Sequence, residues 1–168
     1  MGDVQEGCVF FMMISFDVGE SQKFNFRVAC LIIRDNRVLF QRFHHSDDWF
    51  LPGGRVEMME ETPDAINREI REEYGWTIKS KKLVWIVENF FRLDEKDFHE
   101  LGLYYLVEID GDVAVTEDFQ CREGICVSRW IPIGELDRHR IVPEFIRQGI
   151  DVEQLMHTNE VKHIIHHQ

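Results

Sequence analysis

Positive charge is scarce in this chain of 168 residues: 19 Lys and Arg stand against 31 Asp and Glu, a formal net charge of −12. A surface of that sign repels nucleic acid and anionic membrane, so a nucleic-acid partner would need a local basic patch. No basic helix or aromatic-interleaved RNA-binding strand occurs, and Arg34, Arg37, Arg42 and Arg55 supply at most a patch of nucleotide size. The four cysteines, Cys8, Cys30, Cys121 and Cys126, lack a recognised disulfide framework, so a reduced, cytoplasmic state is expected. Cys121 and Cys126 form a CxxxxC pair with no second pair to complete a zinc site. Internal repeats and low-complexity segments are also missing. The apolar run Cys8 to Phe16 is short and lacks both a basic n-region and a small-residue cleavage motif, so it reads neither as a membrane span nor as a secretory signal. An extra strand at a sheet edge or a dimer interface fits it better, while Met12 and Met13 leave open a translation start there.

What is present suits one domain. With 44% hydrophobic residues the chain can bury a sizeable core. Phe24 to Ile33 and Arg37 to Phe43 read as two strands joined by a turn at Asp35-Asn36. Thr77 to Phe91 and Leu101 to Ile109 are rich in apolar, aromatic and β-branched residues, as strands are. Trp130 to Pro132 begins a short extended stretch, Ile133 to Leu136 leads into a turn, Pro143 to Gly149 reads as a second helix, and Lys162 to His167 as a last edge strand. The expected division is an N-terminal extension over residues 1–23 and one α/β domain over 24–168.

The most informative stretch runs from Gly54 to Trp76. Thr62 is suited to cap a helix from Pro63 to Tyr74, with Pro63 at its first position and Gly75 closing it in the left-handed region. Ile66, Ile70 and Tyr74 recur every four residues as a buried stripe, and Glu69, Glu72 and Glu73 gather on an adjoining face. Three carboxylates so close repel one another, by a few tenths of a kcal/mol per pair on an isolated helix, roughly. Arg68, Arg71 and Asn67 could pair with them as part of a solvated face; a hard divalent cation with oxygen ligands would also remove the conflict. The upstream LPGGRVE favours a site, because a Pro52-Gly53-Gly54 turn lets backbone carbonyls approach a ligand closely.

The separations of Gly54, Glu60, Arg68, Glu69, Glu72, Glu73 and Gly75 resemble the Nudix box, which this chain matches at every fixed position, with Trp76 at a place that is usually aliphatic. A chance match at a given start is on the order of one in a hundred million. The resemblance implies a Nudix hydrolase: an α/β/α sandwich with a mixed β-sheet and metal-dependent hydrolysis of a nucleoside diphosphate linked to another group, with Mg²⁺ or Mn²⁺ as cofactor. It further implies that Glu69 and Glu73 are metal ligands, that Glu72 is a further ligand or the general base, and that the Gly53 carbonyl is a backbone ligand. Arg68 and Glu60 orient the others, and Gly54 supports the turn. Arg42 and Arg55 are candidate substrate contacts. Glu100, Glu117, Asp118 and Glu123 are further candidates for the base, and each also reads as a surface acid. The partner implied is a nucleotide-type small molecule, with no membrane or clear nucleic-acid partner, and homodimers are common in the family.

Met59 stands before Glu60 where many members carry glycine. Downstream markers of the ADP-ribose, diadenosine polyphosphate and NADH types are missing, so the substrate stays open; the box segments look close to those of nucleoside triphosphate-cleaving members. Phe40, Phe90, Phe91, Tyr104 and Tyr105 are candidates for stacking a base, with core packing the commoner role. A non-catalytic nucleotide sensor is the alternative, but it would be expected to have lost box acids, and all are present.

Overall fold

A computed structural model describes residues 12–116, 118–148 and 150–168. Its elements in chain order are β1 (Ser15–Val18), β2 (Gln22–Arg34), β3 (Arg37–Phe43), α1 (Thr62–Tyr74), β4 (Ile78–Leu93), β5 (Lys96–Ile109), β6 (Phe119–Gln120), β7 (Cys126–Pro132), two short 3₁₀ turns, α2 (Val152–His157) and β8 (Lys162–His167). The strands form a mixed sheet in the order β6-β7-β3-β2-β5-β4-β8, with β1 paired to β2. β2 runs parallel to β5 from Gln22 to Ile32, and β8 runs parallel to β4, while the other strand pairs are antiparallel.

Alternation along β2 divides the core in two. Val28, Cys30 and Ile32 face α1 and pack with Ala65, Ile66, Ile70 and Tyr74. Ala29 and Leu31 face the opposite side, where Trp85 and Tyr104 of the strands, Ile141 between the two 3₁₀ turns, Ile146 of the second turn and Leu155 of α2 cover them. The result is an α/β/α sandwich with a light second layer. No helix among the described residues is long and apolar enough to cross a membrane.

The edge of β2 opposite β5 is divided among three partners. β1 takes its start, from Gln22 to Asn25. β3 takes its end, at Ile33 and Arg34. Between them the Pro52-to-Val56 segment runs alongside: Val28 N–H donates to Gly54 O, Cys30 N–H to Pro52 O, and Val56 N–H to Phe26 O. The sheet thus forks between β2 and β3, and the glycine turn fills the fork.

Several sequence expectations are corrected. Residue 61, not 62, is the N-cap of α1, and its side chain makes no capping bond. The Thr62 hydroxyl lies 2.7 Å from the Tyr105 hydroxyl instead, so a partner 43 residues away takes the group that would have capped locally. Gly75 closes the helix at φ 72° as expected, its N–H donating to Arg71 O. β4 and β5 continue past Phe91 and begin before Leu101, meeting in a tight hairpin at Asp94 and Glu95, both at positive φ. The segment after Pro143 is a 3₁₀ turn over Glu144–Gln148, and the second α-helix lies after it, at Val152–His157, where Asp151 accepts a cap bond from Gln154 N–H. Cys121 and Cys126, expected reduced, are paired as a disulfide with a Cα–Cα distance of 5.6 Å. The tight turn between β6 and β7 brings them together, with Cys121 N–H bonded to Cys126 O. Of the apolar run Cys8 to Phe16, the part before Met12 lies outside the described residues, and its last two residues open the strand Ser15–Val18.

Candidate active site

The fork brings the glycine turn and α1 into contact. Gly53 sits at φ 127°, and a Cβ there would lie 2.3 Å from the Val28 carbonyl oxygen, so no side chain fits. A Cβ on Gly54 would meet Glu69 Oε1 at 2.3 Å. The turn is therefore glycine at both positions because the backbone passes directly over β2 on one side and under a carboxylate on the other. Pro52 O and Gly54 O bond to β2, while Gly53 O accepts no backbone hydrogen bond among the described residues.

Glu69 and Glu73 are the two buried acids of the helix, each 9% exposed. Gln41 Nε2 donates to Glu73 Oε1 at 2.8 Å, and Gly53 N–H to Glu73 Oε2 at 3.3 Å. Burial outweighs both donors and pushes the Glu73 carboxyl up to about 7, with Glu69 adding repulsion. Burial raises Glu69 as well, against the opposing pull of Arg68. Glu72, one turn from Arg68, keeps a side chain 48% exposed and is the most solvent-facing of the three.

Arg68 binds the loop to the helix. Its Nε and Nη2 donate to the two oxygens of Glu60 at 2.8 and 2.9 Å, its Nη1 to Glu69 Oε1 at 2.8 Å and to Glu72 Oε2 at 3.3 Å, and its Nη2 also to Arg55 O. Glu60 in turn accepts from Glu57 N–H, and it is held below the usual carboxylate range chiefly by the Arg68 hydrogen bond. This fork geometry fixes the rotamers of Glu60 and Glu69, a role that only a planar guanidinium fills at several acceptors at once.

Two contributors escaped the sequence reading. Gln41, 2% exposed, links Glu73 to Tyr74, whose hydroxyl donates to Gln41 Oε1 at 3.0 Å and lies 3.0 Å from Ser128 Oγ. A glutamine among the inward residues of β3 was the available signal, since a buried amide needs partners. Arg27 donates to Leu51 O at 2.9 Å and lies over the Phe50 ring at 5.5 Å; its positive charge pulls both Glu69 and Glu73 downward.

The remaining candidates fall elsewhere. Arg42 donates to Ser46 O and lies over Trp49. The Arg55 side chain is exposed beside the turn. Asp118 is paired with Arg129, which lowers its pKa. Glu123 is exposed on the turn between β6 and β7, and Glu117 lies outside the described residues. Glu100 is buried, and alternation along β5 turns it to the face away from α1. Phe40 is fully buried in the core; Phe90 and Phe91 line a separate groove of about 610 Å³ with Phe16 and Phe24.

As donors for a metal, the site offers carboxylate oxygens and a backbone carbonyl, the hard set that Mg²⁺ or Mn²⁺ takes. The observation that fits a cation is the burial of Glu69 and Glu73 side by side without a full countercharge. Among the described residues no three His, Cys, Asp or Glu side chains already converge at metal-binding distance, and Arg68 occupies one oxygen of Glu69.

Comparison with known proteins matches the NUDIX domain family model over residues 23–149. Diphosphoinositol polyphosphate phosphohydrolase 2 of Rattus norvegicus is 38% identical over 74 residues, and that of Homo sapiens 36%. Each match spans 42% of this chain and 41% of the relative. Among solved structures, a MutT protein from Bacillus halodurans superposes with a TM-score of 0.59 at 20% identity, covering 84% of this chain and 89% of its own. A MutT structure from work on Aliivibrio salmonicida and Vibrio cholerae gives 0.50 at 27% identity, covering 73% and 90%.

Proposed function

The chain belongs to the Nudix hydrolase family, and from that premise we propose that it hydrolyses a pyrophosphate bond in a nucleoside diphosphate linked to another group, with Mg²⁺ or Mn²⁺ bound at Glu69, Glu73 and the Gly53 carbonyl. The observation that carries this reading is the pair of buried carboxylates, Glu69 and Glu73, pressed against a glycine turn whose Gly53 carbonyl makes no bond to β2. The names of the relatives are in keeping with it, since a diphosphoinositol polyphosphate phosphohydrolase acts on a phosphoric anhydride by its name.

When bound, the cation would neutralise phosphate oxygens and make a coordinated water a stronger nucleophile. The chain's own residues do the rest. Glu69 and Glu73 present their oxygens from a rigid helix, and Gln41 and Gly53 N–H hold Glu73 in one rotamer. Arg68 and Glu60 hold Glu69 in turn, so the carboxylates need no reorganisation when substrate arrives. Glu72 is the acid placed to accept the proton of the attacking water, being exposed while still within reach of Arg68. Arg27 and Arg55 stand beside the turn as the cations available to phosphate oxygens.

The test is product release from nucleoside triphosphates, dinucleoside polyphosphates, nucleotide sugars, ADP-ribose and a diphosphoinositol polyphosphate, with and without each cation. Cation-dependent turnover that disappears in Glu73→Gln supports the reading. No turnover on any of these, with nucleotide binding retained, moves the assignment to a nucleotide sensor.

A further inference from the structure

On the face of the sheet away from α1, five polar side chains stand in one row across five strands. Asn25 of β2 is in register with Ser15 of β1 and with Glu100 of β5; Glu100 is in register with Asn89 of β4, and Asn89 with His166 of β8. On the core side of the row, β2 continues along this face with Arg27 and then Ala29 and Leu31, β5 with Gly102 and Tyr104, and β4 with Val87 and Trp85. The three central members are nearly as buried as the core, Asn25 and Asn89 at 5% and Glu100 at 8%. A polar row inside an apolar face opposes folding unless its groups find partners.

The outer members are partnered in a way that orients the inner ones. Ser15 Oγ donates to Asn25 Oδ1 at 2.6 Å, and His166 Nδ1 lies 2.9 Å from Asn89 Oδ1. Each amide oxygen thus has a partner, while the Nδ2 groups of Asn25 and Asn89, the residues in register with Glu100 on either side, have none among the described residues. Among the described residues the Glu100 carboxylate meets no hydrogen-bond donor and no cation. The row therefore presents donor, double acceptor, donor. Partly exposed side chains rim it: Arg27 two residues along β2, His166, and Phe145, whose ring lies 5.9 Å from both Tyr104 and His166. Arg27 joins this face to the acids, since its charge acts on Glu69, Glu73 and Tyr104 alike.

We propose that the Asn25–Glu100–Asn89 row is the base-recognition subsite of the substrate and that it selects a guanine-type base. The inference rests on the nucleotide-hydrolase reading above. A guanine edge offers two adjacent N–H donors, at N1 and the exocyclic amine, which a carboxylate accepts side by side. Beside them it offers a carbonyl oxygen, which an asparagine amide donates to. Adenine and cytosine each place a ring acceptor beside their amine, and uracil sets one N–H between two acceptors; each would turn a lone pair on Glu100. Phosphates leading from the base would pass Arg27 toward α1.

The test is calorimetric binding of GMP, AMP, CMP and UMP to the full chain without divalent cation, so that no hydrolysis enters. Wild type should bind GMP at least tenfold more tightly than the other three. Glu100→Gln keeps the shape but replaces one acceptor with a donor, and it should bring GMP to within about twofold of AMP, with an unchanged melting temperature showing that the fold survives. Equal binding of all four by wild type overturns the proposal even if the variant fails to fold, as does an undiminished GMP preference in folded Glu100→Gln. Hydrolysis without base preference would leave the enzymatic reading standing and remove this one. Glu100-dependent GMP binding by a protein that hydrolyses nothing would do the reverse.

Discussion

The two faces of the sheet treat their buried carboxylates in opposite ways. On the α1 face, Glu69 and Glu73 are each held by identified donors: Arg68, Gln41 and the Gly53 amide. On the other face, Glu100 is equally buried and has none among the described residues, and the Nδ2 groups of the two asparagines in register with it are likewise unpartnered there. Acids fastened by such donors keep one geometry, as a centre that must not rearrange during a reaction requires. An acid left with accepting capacity is suited to a ligand that brings its own donors. Rigidity and vacancy are thus separated by the thickness of one sheet, with Arg27 acting on both.

That contrast can be broken most severely at Glu73. Glu73→Gln should lower cation-dependent turnover by roughly 10² to 10⁴-fold, with little change in the far-ultraviolet circular dichroism spectrum. Turnover near wild type would remove Glu73 from the metal site. Removing the guanidinium that fastens the α1 face comes next. Arg68→Ala strands Glu60 and Glu69, and chemical denaturation should show a loss of about 2–4 kcal/mol; Arg68→Lys should recover only part of it, because an ammonium cannot fork. Gly53→Ala should cost about 3 kcal/mol by the same measurement, since its methyl meets the Val28 carbonyl.

A pH series sharpens the comparison further. The folded-state pKa of Glu73 is about 7, above its ordinary value of 4.5, so the folded protein holds that proton more tightly than the unfolded chain does. Its contribution is complete below about pH 4.5 and is lost as pH rises through 7, about 3 kcal/mol for the cation-free protein. Denaturant midpoints without cation should fall between pH 5 and 8, and Glu73→Gln should flatten that slope. Tyr74→Phe is the mildest change, expected to destabilise by about 1–2 kcal/mol through loss of the hydroxyl between Gln41 and Ser128.

Local chemistry decided which features were readable in the sequence. Asp35-Asn36 is a turn by composition, and both residues adopt positive φ. Gly75 and the Gly53-Gly54 pair likewise stand where only glycine serves. Asp94-Glu95 makes an equivalent hairpin, but Glu95 is no turn residue, so composition alone places the strand ends short of it. Thr62 had the chemistry of a cap and lost it to Tyr105. Gln41 and the Asn25–Glu100–Asn89 row depend on strand register, which single-strand periodicity does not disclose. The Cys121–Cys126 pairing follows from a turn that places their Cα atoms 5.6 Å apart.

The divided edge of β2 bears on the kinetics of solvent access. Residues 52 to 56 join two elements and would ordinarily exchange their amide hydrogens as a loop does. Here Val56 donates to β2, Pro52 and Gly54 accept from it, and Ile14 N–H, just before β1, donates to Val56 O. The glycine turn is thereby tied into the opening of the central strand. Deuterium uptake at Val56, Val28 and Cys30 should proceed together and slowly, as one cooperative unit.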